Sequence, residues 1–183
     1  DFCLSRGLGD VYKRQDNYRA NSGLRQDTFS GGLQWIVKDA RLGFRVDSSR
    51  QDSRFPGALT TEQYQNNPRQ SFTPNDYGSF DVDRYTLFGE KSFGQLTLMA
   101  DLSRQIKNAE FFQGFLNKSR TEMSQFSPRL RYLSSGGSIA NEFVAGLDFT
   151  HWNKVSDGWT KTDATQKSTC LLYTSPSPRD RQK

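Results

Sequence analysis

Only a few side chains in this sequence are of the types that do chemistry on a ligand. His151 is the only histidine, and Cys3 and Cys170 are the only cysteines. A structural or catalytic metal takes several such ligands at short spacing. His151 has no cysteine or second histidine to work with, so it reads as a surface residue near a strand end. No Ser/His/Asp arrangement can be built around it either. Gly7-Leu8-Gly9 begins a phosphate-loop pattern, but Tyr12 stands where the third glycine belongs. Recognition chemistry concentrates instead in one long polar stretch that carries Arg50, Arg54, Tyr64, Arg69, Phe72 and Tyr77. Guanidinium forks pair with oxyanions, and aromatic faces attract cations and flat groups. Together they would suit an anionic, aromatic small molecule. They would equally well pack a loop on itself and satisfy its turns. Asn117-Lys118-Ser119 matches a glycosylation acceptor, a pattern frequent by chance.

The segments that must hold these residues are strands. Phe29, Gly31, Leu33, Trp35 and Val37 alternate with polar or small neighbours, and so do Ala40, Leu42, Phe44 and Val46. The same period recurs in Tyr85, Leu87 and Gly89, and in Leu96, Leu98, Ala100 and Leu102. It returns in Phe126, Pro128, Leu130 and Tyr132, and in Phe143, Ala145, Leu147 and Phe149. A period of two marks strands with one apolar and one polar face. Six strands are counted, and no amphipathic helix of comparable quality. Of 183 residues, 33% are hydrophobic and 13% aromatic, and that aromatic share argues against disorder. The longest apolar runs, such as Trp35-Ile36-Val37, fall far short of the ~18 residues that a membrane-spanning helix needs.

The connections alternate in length. Lys38-Asp39, Ser92-Phe93-Gly94 and Ser134-Ser135-Gly136-Gly137 are tight turns. The stretches 48–81 and 108–121, and the chain after Trp152, read as long and polar. Loops longer than ~12–15 residues are uncommon in compact domains, and here all fall at the same end of the strands. Short turns at one end, long loops at the other and alternating faces are the pattern of an outer-membrane β-barrel. The apolar row would face lipid. The polar row (Arg41, Arg45, Asp47, Arg84, Glu90, Asp101, Arg129, Arg131, Glu142 and Asp148) would line a wet lumen. Trp35, Phe93 and Tyr132 sit beside the short turns, where an interfacial aromatic girdle belongs. Phe111, Phe112 and Phe115 suit the opposite girdle, with the lining of an outer vestibule as the alternative. A soluble β-sandwich explains the strands as well, but not the one-sided loops.

The two ends read differently. Ser5-Arg6-Gly7-Leu8-Gly9-Asp10-Val11-Tyr12-Lys13-Arg14-Gln15 resembles a translated sequencing adapter with its transposase mosaic end. Cys170 to Asp180 resembles the opposite strand of the same oligonucleotide. Residues 1–15 and 170–183 are therefore expected to be adapter-derived artefacts, and 16–169 the natural segment. The full chain carries 25 basic and 20 acidic residues, a net charge of +5. The ends hold six of the basic residues and three of the acidic ones, which leaves 19 and 17 in the natural segment. A nucleic-acid partner loses its footing on that balance. Both cysteines go as well, and a chain without cysteine fits an exported protein that has no disulfide framework, although many cytosolic domains lack cysteine too.

Within the natural segment, Arg54-Phe55-Pro56-Gly57-Ala58-Leu59-Thr60-Thr61-Glu62-Gln63-Tyr64-Gln65-Asn66-Asn67-Pro68-Arg69-Gln70 resembles an outer loop of TonB-dependent outer-membrane receptors of the siderophore-receptor type. Thr73-Pro74-Asn75-Asp76-Tyr77-Gly78, followed by Arg84-Tyr85-Thr86-Leu87-Phe88, is similar to a strand re-entry in that family. Ser124-Gln125-Phe126-Ser127-Pro128-Arg129-Leu130-Arg131-Tyr132 resembles another of its returning strands. The resemblance implies an all-β fold: about six strands of an antiparallel transmembrane β-barrel of about 22 strands, open and curved in isolation. It implies a fragment without the plug, the TonB-contacting segment or the closing C-terminal strand. The implied function is a part in TonB-dependent uptake of ferric siderophores or similar nutrients across the Gram-negative outer membrane. A porin-like channel and a soluble β-rich binding domain are the alternatives. Lipid, the small ligand and TonB are the implied partners, with no cofactor, no metal site and no enzymatic activity. Arg50, Arg54, Tyr64, Arg69, Phe72 and Tyr77 are the ligand candidates. The adapter-like ends are expected outside the sheet.

Overall fold

The computed structural model describes residues 9–15, 17–136, 139–158 and 161–174. Eight strands form one antiparallel sheet in strict chain order. They are β1 (Gly9–Gln15), β2 (Leu24–Val37), β3 (Ala40–Arg54), β4 (Tyr77–Phe93), β5 (Leu96–Phe112), β6 (Leu116–Gly136), β7 (Ile139–Asp157) and β8 (Thr162–Thr174). One short helix, α1 (Thr61–Asn66), interrupts the connection between β3 and β4. β1 and β8 do not meet, so among the described residues the sheet is open.

The register carries the alternation of each strand across the whole sheet. One continuous row of paired residues runs Leu33, Phe44, Leu87, Leu102, Phe126 and Phe149. A second row on the same face, four residues along each strand, runs Val37, Ala40, Lys91, Leu98, Leu130 and Ala145. On the other face, Ser30, Asp47, Arg84, Gln105, Met123 and Trp152 line up in the same way. A slip of one residue at any pair would mix the faces, and none occurs.

The apolar face has nothing packed on it. Trp35 is 53% exposed and Leu102 51%, and Ala109 is the only buried apolar side chain among the described residues. A water-soluble sheet hides such a face against a second layer; this one does not. The apolar band spans 40–46 on β3, 85–93 on β4, 96–102 on β5, 126–132 on β6 and 143–149 on β7. At ~3.3 Å per residue that is about 23–30 Å along the strand. A strand tilt of ~40° shortens it to about 18–23 Å, close to the ~25 Å band of outer-membrane barrels. Trp35, Phe93, Tyr132 and Phe143 edge the band at the short-turn end, all exposed. At the other edge lie Tyr85, Phe126 and Phe149, the last two stacked with ring centroids 6.3 Å apart.

Three expectations need correction. The sheet has eight strands, not six. The polar chain after Trp152 continues β7 to Asp157 and returns as β8. The adapter-like ends are not outside the sheet, since Gly9–Gln15 pairs with β2 and 170–174 completes β8. The ladder uses only backbone N–H and C=O groups, so an open edge accepts any extended segment, whatever its side chains. The stretch 108–121 is not a long loop either. β5 runs on to Phe112 and β6 begins at Leu116, leaving a three-residue connection. Its polarity belongs to strands that extend past the apolar band, where both faces are hydrated. The turn around Gly136-Gly137 lies partly outside the described residues. At the β4–β5 turn, Gly94 takes the positive φ of 63° that the first position of a type II′ hairpin requires.

Candidate functional site

The β3–β4 connection, residues 55–76, is the one long loop among the described residues, and it is folded rather than slack. Thr60 caps α1: its hydroxyl accepts from the Gln63 N–H at 3.3 Å, and the Gln63 side chain accepts from the Thr60 N–H at 3.0 Å. This reciprocal pair starts a helix of barely two turns that isolated chains would not hold. The Phe72 N–H donates to the Pro56 carbonyl at 2.9 Å, and the Phe55 N–H to the Asp76 carbonyl at 3.1 Å, closing the loop at its neck.

Two residues upstream of β2 fasten it. The Arg19 guanidinium donates to the carbonyls of Gly57 at 2.8 Å, Pro56 at 3.2 Å and Gln70 at 3.1 Å. The Asn21 amide donates to the carbonyls of Phe55 at 2.9 Å, Thr73 at 2.6 Å and Asp76 at 3.0 Å. Asn21 is the only non-glycine residue with positive φ among the described residues, at 51°. Asparagine tolerates that region better than most residues, and it turns the amide under the loop. Neither residue belongs to a period or a motif, so alternation gives no sign of them. The signal available was local: an Asn-Ser-Gly turn beside an arginine, just ahead of a strand.

The six ligand candidates separate into two groups. Tyr64 on α1 and Phe72 are 62% and 64% exposed at the loop surface. Arg69 lies over the Tyr18 ring at 4.9 Å. Arg50, Arg54 and Tyr77 stand on β3 and β4, on the face that carries the apolar band but beyond its edge. Arg50 pairs with Asp83 at 2.8 Å and Asp81 at 3.6 Å. Arg54 covers the Tyr77 ring at 5.4 Å. The Tyr77 hydroxyl donates to Glu110 at 2.6 Å, and Lys118 reaches the same carboxylate at 2.8 Å. Lys118 and then Tyr77 hold the Glu110 carboxyl below the usual range, and Glu110 in turn raises the Tyr77 phenol. The structure thus brings Arg54 and Tyr77 together, joins Arg69 to the loop base, and leaves Tyr64 and Phe72 open to solvent.

Phe111 and Phe112 are far from the apolar band, ten residues or so past Leu102 on β5. Phe112 stacks on Tyr77 at 6.0 Å, and Phe111 meets Phe80 edge to face at 4.9 Å. They close the tip of the sheet instead of forming a girdle, because the strands run on beyond the band. Phe115 sits in the tip connection itself.

The polar face at band height is a network of short ion pairs and hydrogen bonds. Arg41 pairs with Glu90 at 3.0 Å, and Arg45 with Asp47 at 2.9 Å. Arg84 donates to the Gln105 side chain, and the Ser30 hydroxyl to Asp47. Mixed signs across strands neutralise one another, as a wet wall requires. Among the described residues no group of His, Cys, Asp and Glu could hold a metal ion.

No protein-family model matches the sequence, and no curated protein does. Solved structures do. The ferric citrate transporter FecA in its unliganded form superposes with a TM-score of 0.65 at 15% identity, over 90% of this chain and 28% of that one. BauA, the ferric preacinetobactin receptor from Acinetobacter baumannii, gives a TM-score of 0.64 at 12% identity, over 87% of this chain and 28% of its own. The chain therefore spans little more than a quarter of either protein, and at such identities the likeness is one of fold. The fold is that of part of a TonB-dependent siderophore-receptor barrel, laid open as a single all-β antiparallel sheet.

Proposed function

We propose that this chain is part of the wall of a Gram-negative outer-membrane receptor for TonB-dependent uptake of ferric siderophores or similar scarce nutrients. The observation that carries the reading is the unpartnered apolar band. It crosses every strand from β2 to β7 at one height, opposite a polar, ion-paired face. In lipid a spanning sheet must close so that every backbone group is bonded. The two free edges therefore call for the remaining strands of a larger barrel. The two superposed proteins are a ferric citrate transporter and a ferric siderophore receptor, which supports this class of cargo. No catalytic step belongs to the reading.

In the intact receptor the 55–76 loop would stand on the extracellular side. Tyr64, Phe72 and Arg69 would meet an anionic, aromatic ferric complex first, while Arg50, Arg54 and Tyr77 would brace the rim beneath. TonB would act through a part of the receptor outside this chain. Residues 1–15 and 170–183 are adapter translation on this reading, and sequencing the source locus across both junctions should run past Gln15 and Thr169 without adapter bases.

The test is uptake of ferric citrate and of catecholate-bound iron by the complete gene in hosts with and without TonB. Uptake that disappears without TonB supports the proposal. Uptake unchanged by its loss points to a porin-like channel instead.

A further inference from the structure

A lid swings on a few residues that absorb a large change of φ and ψ, and the 55–76 loop has none free to do so. Its two ends, Phe55 and Asp76, are bonded to each other, and the Asn21 amide bridges both. Gly57, the one residue of the loop with positive φ, at 72°, lies inside the fastened part. Its carbonyl accepts from Arg19, and a Cβ there would stand 2.9 Å from the Thr73 hydroxyl oxygen. Six carbonyls of the loop, those of Phe55, Pro56, Gly57, Gln70, Thr73 and Asp76, turn onto just two side chains, Arg19 and Asn21. The Arg69 carbonyl accepts from the Ala20 N–H at 2.8 Å. Inside the loop, the Gln70 side chain donates to the Gln63 carbonyl at 2.7 Å and the Thr73 hydroxyl to the Phe55 carbonyl at 2.8 Å. Residues 17–23, which strap the loop, are themselves anchored in the wall. They run into β2 at Leu24, and the Gly23 carbonyl takes the Arg54 N–H at 2.9 Å, one more rung of the β2–β3 ladder.

We propose that the 55–76 loop is a fixed post at the receptor entrance and not a lid over it. Tyr64 and Phe72, exposed on its surface, then form a contact surface set before any ferric complex arrives. Opening would have to return the carbonyls and the guanidinium to water together. A hydrogen bond from a charged group holds roughly 10- to 150-fold, and a neutral one roughly 2- to 13-fold. One of each lost together biases the loop roughly 30- to 2,000-fold toward the fastened state. A ligand shifts such a balance only by its differential affinity for the two states. The inference rests on the receptor reading above, because only there does the loop stand at an entrance.

The test uses the complete receptor, with ferric citrate and catecholate-bound iron as probes. Ala20→Cys and Gln70→Cys put one thiol on the strap and one on the loop that it holds. A short bis-methanethiosulfonate reagent joins them, and a reducing agent parts them again. TonB-dependent uptake before linking reads the receptor assignment by itself; its absence overturns that assignment and the post with it. Linked cells should take up the same probe as fast as unlinked ones. A loss that reduction restores would mean that loop and strap must part, and overturns the proposal. A second readout is the distance between spin labels on Gln65→Cys of α1 and Val155→Cys of β7. It should be one narrow distribution, unmoved by the probe that is taken up. A shift on adding that probe overturns the proposal. Arg19→Gln with Asn21→Gly should broaden the distribution, and an unchanged width overturns the role given to the strap.

Discussion

Replacing Asn21 should release the 55–76 loop while leaving the sheet untouched. The Asn21 amide has two hydrogens shared among three carbonyls, those of Phe55, Thr73 and Asp76. A neutral hydrogen bond contributes a net ~0.5–1.5 kcal/mol, so two bonds' worth is about 1–3 kcal/mol, or roughly 5- to 150-fold in a local opening equilibrium. Asn21→Gly keeps the backbone free to hold the φ of 51° and loses only these bonds. Asn21→Ala adds about 1 kcal/mol for a side chain forced into the left-handed region, a further fivefold or so. Asn21→Asp keeps the shape but turns an acceptor toward three carbonyl oxygens, and should be worse than Gly. The assay is native-state hydrogen exchange in detergent micelles, followed at the amides of Phe55 and Phe72, which close the loop neck. Protection should fall in the order Asn, Gly, Ala, with Asp below Gly, while amides in β5 and β6 hold theirs. Equal protection in all four forms, or a loss spread evenly over the sheet, would refute the idea that this one amide fastens the loop.

Other outcomes follow from the same geometry. Leu102→Arg places a charge on the apolar band, which costs about 2–4 kcal/mol near a bilayer midplane and less toward its edge; Ser103→Arg, on the polar face, should cost little, and urea titration in micelles compares them. Pro128 has no N–H, and the β6–β7 pairing breaks between the Phe126–Phe149 and Arg129–Gly146 pairs. Pro128→Ala should supply the missing donor, so the amide at position 128 should exchange as slowly as that of Arg129; exchange at a loop-like rate would contradict this. Glu110 lies beyond the band, and its carboxyl is held low by Lys118 and Tyr77. Its folded value is depressed, so its pairing is complete above the usual ~4.3 of glutamate and is lost as the pH falls through the lower folded value. Carboxyl NMR should show that low titration, and Lys118→Gln should move it upward.

Much of the sheet was legible because a period of two is a property of the backbone. Leu33, Phe44, Leu87, Leu102, Phe126 and Phe149 could be assigned to one face before any pairing was known. The ion-paired charges, such as Arg41 and Glu90, could be assigned to the other. Strand length was less legible. Beyond the band both faces are wet, so 48–54 and 108–112 look like loop although they are ladder. β8 was missed for the same reason, since residues 162–169 are almost wholly polar. The loop site was half legible: its aromatic and arginine content marked it, but its fasteners Arg19 and Asn21 lie over thirty residues upstream, where composition says nothing of them.

The amino-acid sequence alone therefore determined an all-β sheet with one apolar and one polar face and short turns at one end. It did so because alternation and turn chemistry act over a few residues. The tertiary structure decided the register that joins the apolar residues into a band of one height. It also decided the fastening of the long loop from below. These depend on contacts between residues far apart in the chain, where the geometry of the ladder, and not local preference, sets which groups meet.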